Sequence, residues 1–194
     1  MTIERSREIL RQTDANSCLA CSLFFVAGKI TGQEFSKDDE RQLCFDSFGR
    51  CRESLVLSYL WAFMEHFPNL DVTITVDNEF YEDYLKRLVA EKIEIEIESS
   101  PVTIELIRSG ASKGPLIVLV DRYHFDYEIH IPHYIVVENQ GENNFSVADP
   151  WQGKTVSVNP TQLQEAIFGA KHILQWAPMI IKIEQQIESA THST

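Results

Sequence analysis

The order of hydrophobic and polar positions divides the chain into a helix-rich first part and a strand-rich second part. Apolar residues dominate the segment Glu53 to Phe67, which is rich in Leu, Trp, Phe and Met, and Pro68 ends the helix expected there. After residue 110 the apolar residues fall in short runs separated by turn residues, which is typical of strands. Helices first and an antiparallel sheet second is the pattern of an α+β fold.

The same pattern sets the bounds of the expected elements. It predicts helices over Ile3 to Gln12, Cys18 to Ala27, Glu53 to Phe67, Glu79 to Glu91, Pro101 to Arg108 and Pro160 to Phe168. It predicts strands over Val72 to Val76, Ile93 to Ile97, Leu116 to Val120, Tyr134 to Val137, Phe145 to Ala148, Thr155 to Val158 and Met179 to Ile183. The polar stretch from Thr31 to Arg50 is typical of a loop or a weak helix. No repeat or low-complexity linker interrupts the pattern, so a single domain over residues 1–194 is expected.

Composition and charge narrow the range of partners. Hydrophobic residues make up 44% of the chain and charged residues 24%, which is ordinary for a globular protein. Seventeen Lys and Arg against 29 Asp and Glu give a formal net charge of −12. Affinity for nucleic acid depends on clustered cations that neutralise phosphates, and the sequence has no Lys/Arg stripe. We therefore expect neither nucleic acid nor an anionic membrane as a partner.

Hydropathy gives an expectation for location. No apolar run approaches the roughly 20 residues that a membrane-spanning helix needs. The longest run, Cys18 to Gly28, follows Glu4, Glu8 and Asp14 and lacks the basic lead-in of a signal peptide. The chain is therefore expected to be cytoplasmic.

The four cysteines need an explanation that suits a reducing compartment. Catalysis, metal binding and burial as small hydrophobes are the three alternatives. Cys18-x-x-Cys21 opens a predicted helix, as redox pairs do, but the strand that precedes such a motif in a thioredoxin-like unit is missing. A zinc site would also need Cys44 and Cys51, whose spacing is longer than that of zinc ligand pairs. No metal and no cofactor are expected.

Cys18 has the position of an activated nucleophile. The turn Asp14-Ala-Asn-Ser17 supplies residues that cap helices, so the helix is expected to begin at Cys18. A thiol at a helix N-terminus lies beside unpaired backbone N–H groups at the positive end of the helix dipole. This location favours the thiolate, which is the reactive form of cysteine. The alternative is that Cys18 is a buried core residue.

His133 and Asp149 are predicted to meet across a hairpin. The two strands that carry them are joined by Asn139-Gln-Gly141-Glu-Asn143, which is typical of a turn. If the hairpin is symmetric about Gly141, His133 lies directly opposite Asp149 and both side chains lie on one face. The same register pairs Ile135 with Val147 and Val137 with Phe145. An Asp in this position can orient an imidazole and stabilise its protonated form.

These residues resemble the motifs of a known family. The segment Gln12-Thr-Asp-Ala-Asn-Ser-Cys18-Leu-Ala-Cys-Ser-Leu is similar to the N-terminal motif of C39-type cysteine peptidases, the bacteriocin-processing family. In that motif a Gln, five residues and a Cys lead into the first helix. Pro132-His133-Tyr-Ile-Val-Val137 and the later Asp149-Pro-Trp-Gln-Gly153 resemble the His strand and the Asp-Pro-x-x-Gly turn of the same family. The order of the motifs matches, and the family's domain would span most of the chain.

The resemblance implies a papain-like fold, with an N-terminal helical part packed on a C-terminal antiparallel sheet and a cleft between them. It also implies a role for each residue. Cys18 would attack an acyl carbon, His133 would transfer the proton and Asp149 would orient His133. Gln12 and the backbone N–H of Cys18 would stabilise the oxyanion. The implied activity is cleavage of a peptide or amide bond, with a peptide or amide substrate as the partner; the sequence predicts no oligomeric state.

Leu19 departs from the family pattern, which usually has Gly directly after the nucleophile. A side chain at this position could narrow the approach of the substrate or move the oxyanion hole. Two alternatives to a peptidase follow from the sequence. One is an acyl or peptidyl transferase that uses the same residues, and the other is a catalytically inactive module that binds peptides.

Overall fold

A computed structural model describes residues 8–89, 92–125, 128–141 and 143–186. Within these ranges the helices are α1 (Cys18–Thr31), α2 (Lys37–Ser47), α3 (Leu55–His66), α4 (Glu79–Val89), α5 (Ile104–Ala111) and α6 (Pro160–His172). The strands are β1 (Leu70–Val76), β2 (Glu96–Ser99), β3 (Leu116–Asp121), β4 (Pro132–Asn139), β5 (Phe145–Asp149), β6 (Lys154–Val158) and β7 (Met179–Gln185). A short 3₁₀ turn, Arg122–Phe125, follows β3.

The strands form one mixed sheet in the order β2-β1-β7-β3-β4-β5-β6. Every neighbouring pair is antiparallel except β1 and β2, which run parallel. The fold therefore combines α and β structure, as predicted. The expected division into a helical first part and an antiparallel second part is too simple, because β1 enters the sheet beside β7 and brings β2 with it.

Helices cover both faces of this sheet. The apolar residues of α1 and α3 pack with alternate residues of the strands, among them Ile117, Val136 and Ile181, in one core. The intervening strand residues, among them Val118 and Ile135, pack on the other face with α5 and α6. Strands with both faces covered read as continuous apolar runs, which explains the wholly buried strand β3. Helix α1 is buried along most of its length, so its N-terminal residue is held by the core.

The register of the β4–β5 hairpin differs from the predicted one. Val137 pairs with Val147 and Asn139 pairs with Phe145, so β5 is displaced by two residues relative to the register symmetric about Gly141. Gly141 is an early residue of the turn: its φ is 94°, and its N–H donates to Asn139 Oδ1 at 3.2 Å. His133 therefore does not lie directly opposite Asp149. Because side chains alternate between faces with a period of two, a displacement of two keeps both residues on the same face.

The segment before α1 also differs from expectation. Residues 3–7 of the predicted helix Ile3 to Gln12 lie outside the described residues, and residues 8–12 are not helical. The Gln12 backbone N–H instead donates to the Pro150 carbonyl at 2.8 Å. The polar stretch from Thr31 to Arg50 contains α2, which Ser36 and Asp39 begin with a reciprocal capping box.

Among the described helices, none has the length and apolar character needed to cross a membrane.

Candidate active site

Helix α1 begins at Cys18, as the turn before it predicted. Ser17 is the N-cap residue, but its side chain makes no capping hydrogen bond. The Ser17 hydroxyl donates instead to Glu40 Oε1 at 2.5 Å. The first N–H groups of an α-helix have no acceptor within the helix. Without a side-chain cap, the amides around Cys18 are therefore available to a negatively charged ligand.

His133 is the second residue of β4 and is almost completely buried, with 2% of its surface exposed. Its Nε2 lies 2.7 Å from Asp149 Oδ1, in a hydrogen bond that is itself buried. The Cys18 side chain lies close enough to the ring to raise its pKa. Asp149 occupies Nε2, which leaves Nδ1 as the ring nitrogen for a second partner. The structure thus brings Cys18, His133 and Asp149 together.

The charge of the His133 ring is set by opposing effects. Burial alone lowers the pKa of His133, because it removes water from the imidazolium. The hydrogen bonds to Asp149 and Cys18, and the charges on both partners, act in the opposite direction and raise the pKa to about 9. A protonated imidazole is the partner that the thiolate of a cysteine nucleophile requires.

Asp149 is held by the turn that follows it. Its Oδ1 accepts the Trp151 N–H at 2.8 Å as well as the His133 ring, and its carbonyl accepts the Gly153 N–H at 2.9 Å. Such bonds from a side chain to the backbone two residues later are characteristic of Asp in turns. Asp149 is therefore both a turn residue and the partner of His133.

The same turn packs against the segment that carries Gln12. Gly153 has a φ of 67°, and a Cβ built on it would lie 2.6 Å from Arg11 Cβ. The backbone bond from Gln12 to Pro150 lies beside this contact. Only glycine combines the left-handed conformation with so close an approach. The Asp-Pro-x-x-Gly motif thus positions both Asp149 and the residue before Gln12.

The carboxamide of Gln12 has a less complete set of contacts. Its Nε2 donates to the Asp14 carbonyl at 2.7 Å, while Oε1 is buried and has no hydrogen-bond partner. An amide NH₂ has two donors, so one N–H of Gln12 remains for an oxyanion. The described contacts of Gln12 do not include Cys18 or His133. Its role in the oxyanion hole therefore stays a prediction.

Glu40 is a site residue that the sequence analysis missed. It lies in α2 and is fully buried, and its Oε1 accepts hydrogen bonds from the Thr13 N–H at 2.7 Å, the Thr13 hydroxyl at 3.2 Å and the Ser17 hydroxyl. These bonds fix the loop that leads into Cys18. Glu40, Leu43 and Ser47 form the buried face of α2, but the sequence pattern alone does not distinguish this carboxylate from a solvated one.

The other cysteines lack the environment of a nucleophile. Burial raises the pKa of the Cys21 thiol, and the nearby Glu40 carboxylate raises it further. Burial also raises the pKa of the Cys44 thiol. All four cysteines are free thiols. Among the described residues, no group of three or more His, Cys, Asp or Glu side chains is arranged to hold a metal ion.

A cavity of about 260 Å³ lies beside the nucleophile. We call it the proximal cavity; its walls include Cys18, Leu19, Tyr81, Pro132, Tyr134 and Trp176. Leu19, the residue that departs from the family pattern, thus borders the space into which a substrate would enter.

No protein-family model matches the chain, and no curated protein matches it in sequence.

Proposed function

We propose that this chain is a cysteine-nucleophile acyl hydrolase with a papain-like fold, most simply a C39-like peptidase. The observation that carries the proposal is the buried His133 ring, which is hydrogen-bonded to Asp149 and lies close enough to Cys18 for the thiol to raise its pKa. Free cysteines are typical of a reducing compartment and support a cytoplasmic location.

The contacts of the three residues support a two-step reaction. The Cys18 sulfur attacks the acyl carbon of a peptide or amide, with the helix N-terminus and Gln12 stabilising the oxyanion. The His133 imidazolium then gives its proton to the leaving amine as the C–N bond breaks, which leaves a thioester on Cys18. Water, activated by neutral His133, hydrolyses the thioester and regenerates the thiolate. Asp149 stabilises the imidazolium throughout.

The acceptor of the acyl group is not decided by these residues. Transfer to an amine or a thiol uses the same nucleophile and the same proton carrier. A module that binds without cleaving would need no activated thiol. The first experiment therefore measures the thiol itself and not a product.

The test is the rate at which iodoacetamide alkylates each cysteine between pH 5.5 and 9, read by mass spectrometry. An ordinary thiol, with a pKa of about 8.5, is roughly 1% thiolate at pH 6.5. We expect Cys18 to react at that pH roughly tenfold or more faster than Cys44, because His133 balances the charge of its thiolate. His133→Ala should abolish this advantage.

His130 provides a matched control. It also bonds to a buried carboxylate, with Nδ1 2.6 Å from Asp121 Oδ2, but it is not one of the hydrogen-bond partners of Cys18. His130→Ala should leave the rate at Cys18 unchanged. Equal rates at Cys18 and Cys44 in the unmodified protein would reject the proposed function in its active form.

A further inference from the structure

A larger cavity adjoins the proximal one. The second, which we call the distal cavity, has a volume of about 500 Å³ and includes Phe80, Leu119 and Met179 in its walls. Tyr81, Tyr134 and Trp176 border both cavities. The two cavities therefore share an aromatic wall, and Cys18 lies in the smaller of them.

The lining of the two cavities favours apolar groups. Among the described residues that line them, Glu53 is the one acidic side chain, and Lys, Arg and His do not occur. An anionic side chain in these cavities would find no cation among the described lining residues to pair with and one carboxylate to repel it, so its desolvation would be poorly compensated. The proximal cavity is smaller than the roughly 300–1,000 Å³ typical of cofactor and drug-sized sites. Its size suits a single large side chain.

Leu19 fixes the shape of the proximal cavity next to the sulfur. It follows Cys18 on α1 and is 2% exposed, so the core holds its side chain in place. During catalysis the acyl group becomes bonded to the Cys18 sulfur. Because Cys18 itself lines the proximal cavity, the side chain of the residue whose carbonyl it attacks can reach this cavity.

Trp176 lies at the boundary between the two cavities. The backbone of the residue directly before it, Gln175, is strained. Gln175 has a φ of 58°, the left-handed conformation that non-glycine residues rarely adopt. After this residue the Trp176 N–H donates to the Ala170 carbonyl of α6 at 2.9 Å. Strain of this kind persists where the surrounding structure fixes it, and it is common at ligand sites. Trp176 nevertheless remains 48% exposed, as expected of a wall that a ligand would cover.

We propose that the proximal cavity binds a large aliphatic or aromatic side chain of the residue whose carbonyl Cys18 attacks. Leu19 and Trp176 are then the residues that determine specificity. The inference rests on the proposed function and adds the class of substrate: peptides or amides with a bulky apolar residue on the acyl side of the scissile bond. The opposite expectation would be a narrow site that accepts only glycine on the acyl side of the scissile bond.

The test uses chloromethyl ketones of N-acetylated Gly, Leu, Phe and Asp. In each the sulfur of Cys18 forms a bond to the methylene carbon and chloride leaves, so the reagents differ only in the side chain presented to the cavity. For every variant the rate is divided by the rate with iodoacetamide, which has no such side chain. We expect the Leu and Phe reagents to react roughly tenfold to a hundredfold faster than the Gly reagent, and the Asp reagent to react more slowly than Gly.

Three variants test the walls of the cavity. Trp176→Ala should reduce the ratio of the Phe rate to the Gly rate, and Trp176→Phe should restore most of it. Phe48→Ala is the matched control, because Phe48 is an aromatic residue that is 90% exposed and lines neither cavity. It should leave both the ratio and the iodoacetamide rate unchanged. Leu19→Ala should enlarge the proximal cavity and move the preference from the Leu reagent towards the Phe reagent. Because Leu19 is buried, this variant could fail to fold, and the Trp176 variants then decide the test.

The outcomes separate the two proposals. A fast, His133-dependent reaction with iodoacetamide together with equal rates for Gly, Leu and Phe reagents would overturn the specificity and leave the proposed function standing. Slow reaction of Cys18 with iodoacetamide would overturn both.

Discussion

At the scale of single residues, His133 is the clearest case of opposing effects on one ionisable group. Burial disfavours its charged form, whereas Asp149 and Cys18 favour it and raise its pKa from 6.5 to about 9. The folded protein therefore binds a proton more tightly than the unfolded chain does. This gain in stability is complete below the unfolded pKa of about 6.5 and is lost as the pH rises through about 9.

A measurable pH dependence of stability follows. The free energy of unfolding of the unmodified protein, relative to that of His133→Gln, should fall by at most about 3 kcal/mol between pH 6.5 and 9. Urea unfolding at closely spaced pH values would measure it. Asp149→Asn is the informative companion, because its amide oxygen can still accept the Trp151 N–H while the charge is lost. We expect the free energy of unfolding of Asp149→Asn to change less with pH than that of the unmodified protein. If the difference between the unmodified protein and His133→Gln did not change with pH, the raised pKa of His133 would not be the cause of the pH dependence.

How far the sequence predicts single site residues depends on the kind of signal. Cys18 and Asp149 lie next to turn residues whose preferences are local, and the face that His133 and Asp149 share follows from the strand period alone. Glu40 was missed because a carboxylate within a polar stretch is usually solvated. Its burial depends on three donors in a loop 23 to 27 residues earlier, which local patterns do not contain.

At the scale of elements, the turn after β5 connects two distant parts of the site. It holds Asp149 through the Trp151 N–H and presses Gly153 against Arg11. The segment before α1 is therefore positioned by a turn more than a hundred residues later in the sequence. Arg11 and Gln12 are thus held against this turn, in a segment that was predicted to be helical and is not.

Gly153→Ala should be more damaging than an ordinary loss of a glycine. Gly49 has a similar φ of 80°, but a Cβ there would meet nothing within 4 Å, so Gly49→Ala measures backbone strain alone. Strain of this kind costs about 1–3 kcal/mol. We expect Gly153→Ala to lower the free energy of unfolding by more than Gly49→Ala does and to slow alkylation of Cys18. Equal losses in urea unfolding would mean that the Arg11 contact relaxes freely.

The elements themselves were predictable where the hydrophobic period was strong. Strands β3 to β7 and helices α1, α3 and α6 occur where the pattern placed them, with ends that differ by a few residues. Helix α2 was ambiguous because most of its surface is polar and its start depends on a capping box. The β4–β5 register was not predictable from the position of one glycine, because the turn is not symmetric about it.

At the scale of the whole molecule, the net charge of −12 opposes the compact state through repulsion between like charges. Surface ion pairs act in the opposite direction, among them Lys86 with Glu82 and Arg50 with Glu65. Exposed pairs of this kind contribute only about 0–1 kcal/mol each. Screening by salt should therefore relieve more repulsion than it removes attraction.

We accordingly expect the unfolding temperature to rise when NaCl is increased from 20 to 300 mM at pH 7.5. A gain on the order of 1 kcal/mol would correspond to roughly 2–4 °C for a chain of this size. Potassium chloride at the same ionic strength is the control for ion-specific effects. A fall in the unfolding temperature would show that the ion pairs outweigh the net charge.

The two-residue displacement in the β4–β5 hairpin has a consequence for changes in chain length. His133 and Asp149 stay on one face after any slide of β5 along β4 by an even number of residues, and they separate to opposite faces after an odd one. Where an insertion or deletion in the connecting loop shifts the strand pairing, its effect on the two residues therefore depends on whether the shift is even or odd. In a library of loop lengths built on this hairpin, members with an even register shift should therefore keep the histidine and the aspartate on one face, and members with an odd shift should not.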